Sequence, residues 1–168
     1  MARGPRRITP KYLERAAFYY LSRRGASRAQ LRDVLLRKVR RAEDPPAESA
    51  EWVEAVLVRC EELGYINDRS YAASKARSMR RRGGSKAKIR AKLRQKGIAG
   101  ELIDETFEAE GQDDELSAAR RYAERRRFGR NRERRDKELA SLGRAGFSFQ
   151  VARRALEELG AANEEADR

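Results

Sequence analysis

One segment of the chain concentrates side chains that bind anions. Residues 80–98, RRRGGSKAKIRAKLRQKGI, hold nine Lys or Arg and no acidic residue. The wider stretch 75–96 holds eleven Lys or Arg in twenty-two residues, again without an acid. Lysine and arginine bind phosphates and carboxylates through charge-assisted hydrogen bonds. The segment therefore predicts a surface that contacts an anionic partner.

The chain lacks the residue types that most catalytic and metal centres need. Its 168 residues include no histidine and one cysteine, so the usual Cys/His zinc sites cannot form within one chain. Neither GxxxxGK[ST] nor GxGxxG is present, and no paired-carboxylate signature stands out. We therefore expect a protein that is not an enzyme, with no catalytic residue, no metal and no cofactor.

The overall composition indicates the class of partner. A net charge of +13 and a pI of about 10.4 make nucleic acid, or an assembly that contains it, the first partner to consider. No run of 18 apolar residues and no apolar signal region occur, so we expect no membrane association. The single Cys60 lies among apolar positions and suits a reducing cytoplasm.

A repeated pattern organises the sequence. GASRAQLRDVLLRK at 25–38 matches GGSKAKIRAKLRQK at 83–96 without a gap, at an offset of 58 residues. A third copy is visible in its second half, where GIAGELIDETF at 97–107 matches GFSFQVARRAL at 146–156 at an offset of 49. Helix formers dominate, and each copy has the pattern of three short helices. The sequence predicts an all-α tandem array of three three-helix repeats, elongated and curved.

The turn and capping residues predict where the repeats and helices end. Gly83 is expected to end the first helix of the second repeat and Ser85 to cap the second helix, while Ser27 and Gln30 predict a capping box. In that repeat the helices are predicted at about 68–82, 86–95 and 100–109. The repeats are predicted at 9–65 with a proline-containing insertion near 41–50, at 66–110 and at 113–160, between flexible termini at 1–8 and 161–168.

Positive charge falls on the second repeat at positions that do not favour the helix. Lys88 stands where the first repeat has Gln30, and Lys86 lies just inside the helix. Exposed cations at a helix N-terminus oppose the macrodipole by about 0.3–1 kcal/mol each. We interpret this charge as kept for an anionic partner; the alternative is a solvated face with compensating salt bridges. The candidate contact residues are Arg80, Arg81, Arg82, Lys86, Lys88, Arg90, Arg94, Arg125, Arg126 and Arg127.

The ordered motifs resemble the RecX family over about residues 9–160. In the second repeat they are Leu63-Gly64-Tyr65, Asn67-Asp68, Tyr71-Ala72, Arg82-Gly83 and LRQKGI at 93–98. The third repeat fits through Arg127-Phe128-Gly129 and Gly146-Phe147-Ser148. The resemblance implies an all-α array of three three-helix units without catalytic activity.

The resemblance also implies a function. Members of this family are cytoplasmic regulatory proteins that bind the RecA nucleoprotein filament on single-stranded DNA. They modulate, and usually inhibit, its ATPase, strand-exchange and co-protease activities in homologous recombination, DNA repair and the SOS response. We expect a monomer with this partner, and single-stranded DNA is a second candidate partner. The alternative is a helical repeat protein that binds DNA or RNA directly, without RecA.

Overall fold

The computed structural model describes residues 7–108 and 112–166, and every regular element in these ranges is helical. The predicted all-α class is confirmed. In chain order the helices are α1 (Pro10–Leu21), α2 (Arg28–Arg40), α3 (Ser49–Glu62), α4 (Asp68–Arg81), α5 (Lys86–Gln95), α6 (Gly100–Thr106), α7 (Gln112–Glu124), α8 (Arg135–Arg144) and α9 (Phe149–Ala166), with a short 3-10 helix at Arg132–Arg134 before α8.

Local capping signals explain several helix ends. The Ser27 hydroxyl and the Gln30 side chain form the predicted capping box at the start of α2. Gly83 follows α4 with φ 75°, in the left-handed region that glycine adopts without strain. The Ser85 hydroxyl accepts a hydrogen bond from the Lys88 N–H at 3.2 Å and caps α5 as predicted. These ends depend on neighbours within a few residues, which is why the sequence predicts them.

Other ends differ from the prediction. Helix α6 ends at Thr106 rather than near 109, and α9 continues to Ala166, beyond the predicted repeat end at 160. Ile8, placed in a flexible terminus, is 3% exposed and packs in the core of α1–α3, because it is apolar and precedes the N-cap residue Thr9 of α1. Residues 1–6, 109–111 and 167–168 of the predicted ranges lie outside the described residues. The three repeat limits and the elongated outline stay predictions.

The chain forms two compact units. Within the described residues, the first unit comprises 7–71 and 96–99, and the second comprises 72–95, 100–108 and 112–166. In the first unit, α1–α3 pack around a core of fully buried side chains. Leu31 and Leu35, one helical turn apart on α2, are both 0% exposed. Cys60 lies in the same core, where burial raises the pKa of its thiol, so its reactive thiolate form is disfavoured.

The second unit places α5 and the end of α4 beside α7–α9. Its main cluster combines small residues of α7, such as Ala119, with Leu142 and Leu156 of the last two helices. The alanines let α7 and α9 approach closely. A Cβ at Gly83 would lie 2.7 Å from the backbone nitrogen of Tyr122, so only glycine lets α4 end directly against α7.

Candidate functional site

The N-terminus of α2 is held by groups that lie far along the chain. The Ser27 hydroxyl donates to the Lys96 carbonyl at 2.5 Å, and the Arg28 N–H donates to Oδ1 of Asp68 at 2.8 Å. A Cβ at Gly97 would lie 2.3 Å from the Cβ of Ala29, so the backbone can approach the start of α2 this closely only because residue 97 is a glycine. This set of contacts, all within the first unit, forms the first junction.

The N-terminus of α5 has an equivalent second junction within the second unit. The Ser85 hydroxyl donates to the Ala145 carbonyl at 2.5 Å, and the Lys86 N–H lies 3.1 Å from both carboxylate oxygens of Glu115. A Cβ at Gly146 would lie 2.7 Å from the Ser85 hydroxyl oxygen. The sequence offsets of 58 and 49 residues therefore relate the serine caps and the glycines of the two junctions, and each junction also has a carboxylate, with Asp68 and Glu115 lying 47 residues apart.

The second junction corrects the interpretation of charge at the start of α5. We expected Lys86 and Lys88 to oppose the helix dipole without compensation inside the protein. Instead the carboxylate of Glu115, on α7, lies at this N-terminus and accepts the first N–H of the helix. Negative charge at a helix N-terminus is stabilising. The cations there are thus no evidence for an external partner.

Three of the predicted contact residues are engaged inside the second unit. The Arg80 side chain is buried, pairs with Glu115 at 2.6 Å and donates to the Gly84 carbonyl at 2.9 Å, so it stabilises the turn between α4 and α5. Arg90 pairs with Asp104 of α6. The charged groups of Arg80, Lys86 and Arg90 all lie 5.3–5.8 Å from the ring centroid of the buried Phe107. The ion pairs of Arg80 and Arg90 argue for structural roles, because internal pairing leaves little of each charge for a partner. Lys86 shares this setting through the contact of its ammonium with the Phe107 ring.

The other predicted residues, Arg81, Arg82, Lys88, Arg94, Arg125, Arg126 and Arg127, are exposed. Four of them line a concavity of about 710 Å³ in the second unit, which we call the basic groove. It is bounded by α4, α5 and the end of α7. Its cationic lining is Lys75, Arg82, Lys88, Lys92, Arg125 and Arg126, and its uncharged lining is Met79, Gly83, Gly84, Ala91, Gln95 and Tyr122.

No lining residue of the basic groove is acidic, and no ion pair joins its six cations to a carboxylate in the described part of the chain. The candidate list omitted Lys75 and Lys92. Both belong to the stretch 75–96, which contains no acidic residue, and this sequence feature could have identified them. Arg81, Arg94 and Arg127 lie outside the groove lining. The arrangement is suited to binding an anion that carries several charges.

The arginines of the basic groove are held in position by uncharged groups. Arg125 donates to the Arg82 carbonyl at 3.1 Å, which joins the ends of α7 and α4. The guanidinium carbon of Arg126 lies 3.8 Å from the ring centroid of Tyr122. Arg82 donates to the carbonyl and hydroxyl oxygens of Ser78 at 3.2 and 3.1 Å. These contacts order the side chains and leave their positive charge unneutralised.

Comparison with known proteins identifies the family to which this architecture belongs. The family model for the second three-helix domain of RecX matches residues 67–106. A curated relative from Myxococcus xanthus, named regulatory protein RecX, is 39% identical over 169 residues, which cover 91% of this chain and 88% of the relative. This chain belongs to the RecX family. The expected family resemblance is confirmed, and with it the class of regulatory protein to which the relatives' name assigns them.

Solved RecX structures share the fold. The crystal structure of RecX from Lactobacillus salivarius has a TM-score of 0.71 at 23% identity, covering 89% of this chain and 96% of that chain. A second crystal structure, of a regulatory protein RecX, has a TM-score of 0.70 at 26% identity, with coverage of 88% and 73%. The family match at 67–106 contains α4–α6, so most of the basic groove lies on the matched domain. Among the described helices, none is sufficiently long and apolar to span a membrane.

Proposed function

We propose that this protein regulates the RecA recombinase by binding its filament on single-stranded DNA, and that it slows the ATPase, strand-exchange and co-protease activities of that filament. Membership of the RecX family supports the regulatory role. The observation that carries the binding proposal is the basic groove, where six cations without carboxylate partners face one concavity. A nucleoprotein filament offers phosphates and acidic side chains that such a surface attracts.

We propose two different roles for the predicted contact residues. Arg80 and Arg90, which pair with carboxylates, and Lys86, whose ammonium contacts the Phe107 ring, are proposed to position the groove. The exposed residues proposed to contact the filament are Arg81, Arg82, Lys88, Arg94, Arg125, Arg126 and Arg127, to which the groove adds Lys75 and Lys92.

A titration of RecA tests the proposal. Hydrolysis of ATP by RecA on single-stranded DNA is measured as this protein is added, and we expect turnover to fall at or below equal ratios. A groove variant, Lys88→Gln with Lys92→Gln, should inhibit more weakly. A control variant, Arg134→Gln with Lys137→Gln, removes two exposed cations outside the groove lining and should inhibit like the wild type. Unchanged turnover over a wide titration, with RecA filaments intact, contradicts the proposal.

The second candidate function is direct binding of DNA or RNA without RecA. The basic groove favours this candidate too, because phosphate is the same ligand in either setting. A helix-turn-helix mode, with the third helix of a unit in a DNA groove, is disfavoured for α6: it carries Glu101, Asp104 and Glu105, which phosphates repel. Inhibition that follows the capture of naked DNA, and disappears when RecA is loaded first, would favour this second candidate.

A further inference from the structure

We propose that the basic groove binds the sugar–phosphate backbone of a single nucleic-acid strand, which rests on the proposed function and names the component of the filament that this surface contacts. Six arginines of the second unit are neutralised by carboxylates within it. Arg80, Arg90, Arg120, Arg135, Arg153 and Arg154 each form an ion pair with a carboxylate of the same unit. The six groove cations form no such pair among the described residues and line one concavity, so an anion from outside would relieve their mutual repulsion.

Stabilisation of helix ends explains only part of this charge. Arg82, Arg125 and Arg126 follow the C-termini of α4 and α7, where cations interact favourably with the helix dipole. Lys92 lies in the last turn of α5, where the dipole also favours a cation, and Lys88 lies near the α5 N-terminus, where the carboxylate of Glu115 supplies negative charge. Lys75 lies in the middle of α4, where the helix dipole does not account for a cation, and a bound anion would account for it.

The spacing of the cations indicates an extended anion rather than a compact one. Lys88 and Lys92 lie four residues apart on α5, a rise of about 6 Å, and Lys75 and Arg82 lie about 10 Å apart along the other wall by the same geometry. Lysines are mobile point charges that follow successive phosphates, whereas the ordered Arg125 and Arg126 present planar donors suited to phosphate oxygens. Both walls thus provide charge along the length of the groove.

The uncharged lining indicates that the backbone, and not the bases, is bound. Gly83, Gly84 and Ala91 are small and allow a strand to approach closely. Tyr122 is the aromatic residue of the lining, and Arg126 already stacks on its ring, while Phe128 and Phe147 meet it edge-on. Arg126 therefore competes with a base for stacking on this ring. Binding through this groove should therefore be independent of base sequence.

Fluorescence anisotropy with a labelled oligo-dT strand, without RecA, tests this inference between about 50 and 200 mM salt. Each phosphate contact on a single strand contributes about 0.7 to the slope of log K against log salt. The groove variant should bind more weakly, with a slope smaller in magnitude by about 1.4 for two lost contacts. The control variant should keep the wild-type slope.

Two further measurements exclude unfolding of the groove variant and unselective binding of polyanions as explanations. The groove variant should melt at or above the wild-type temperature, because Lys88→Gln recreates the Ser27–Gln30 capping arrangement at Ser85. A mixed-sequence strand should bind as well as oligo-dT, and polyglutamate of equal charge should compete poorly. Strong competition by polyglutamate would show that the groove accepts carboxylates and would overturn the inference.

The outcomes separate this inference from the proposed function. Equal salt slopes for the wild type and the groove variant, or no binding of oligo-dT by the wild type at low salt, overturn the inference. If the groove variant nevertheless loses inhibition of RecA, the groove contacts protein and the proposed function stands. If the wild type binds oligo-dT through the groove but leaves ATP hydrolysis by RecA unchanged, the inference stands and the proposed function fails.

Discussion

Glu115 provides the sharpest test of how the second unit is held together. Its carboxylate lies 2.6 Å from Arg80 Nη1, and the side chains are only 18% and 11% exposed. Removing one partner of a largely buried ion pair typically destabilises by 3–5 kcal/mol. We expect Glu115→Gln to lower the free energy of unfolding by about 2 kcal/mol, below that range because the amide oxygen still accepts the Lys86 N–H and Gly84 still accepts from Arg80.

The matched control is Glu157→Gln, which removes a carboxylate from an exposed pair. Glu157 lies 3.2 Å from Arg135 and 3.3 Å from Arg153, with side chains that are 40–61% exposed. Exposed ion pairs contribute about 0–1 kcal/mol, because water and salt screen them. The control should therefore lose less than about 1 kcal/mol. Burial of the pair, rather than the number of ion pairs lost, sets the expected difference.

Urea denaturation followed by far-UV circular dichroism measures both variants. With an m-value of about 2 kcal/mol/M, Glu115→Gln should lower the midpoint by about 1 M and Glu157→Gln by less than about 0.5 M. Adding Arg80→Met to Glu115→Gln should recover part of the loss, because it removes the largely buried charge that the Glu115 carboxylate no longer neutralises. Equal small shifts for Glu115→Gln and Glu157→Gln would refute the reasoning.

Two further substitutions test local features. Arg127 has φ 57° at the position that Gly83 occupies after α4, so Arg127→Gly should raise the free energy of unfolding by about 1 kcal/mol in urea denaturation, whereas Arg127→Lys should not. Burial raises the pKa of Asp68, which accepts the Arg28 N–H. The contribution of Asp68 to the free energy of unfolding is therefore fully present below pH 3.8, its ordinary pKa. This contribution is lost as pH rises through the raised pKa of the folded protein. Asp68→Asn keeps an oxygen that accepts the Arg28 N–H but does not titrate. The free energy of unfolding of the variant minus that of the wild type should therefore increase from about pH 3 to pH 7, and a difference that stays constant contradicts this prediction.

The local structure of this protein follows from its sequence. The serine caps at Ser27 and Ser85, the glycine that ends α4 and the buried Leu31–Leu35 spacing were all predictable. Each depends on hydrogen bonds or side-chain periodicity within a single helical turn. The repeat offsets are also a property of the sequence, and the two junctions confirm that residues so related make equivalent contacts.

Tertiary structure decided which charges remain for a partner. Arg80 and Arg82 are close neighbours in one basic run, yet the first is paired with Glu115 and the second lines the basic groove. The deciding carboxylate is 35 residues away, and Lys75 and Arg126 line the same groove although they are 51 residues apart in the chain. Charge counts along the chain locate the cations, but neutralisation requires an oppositely charged group within a few ångströms. Only the packing of α6 and α7 beside α4 and α5 determines that distance.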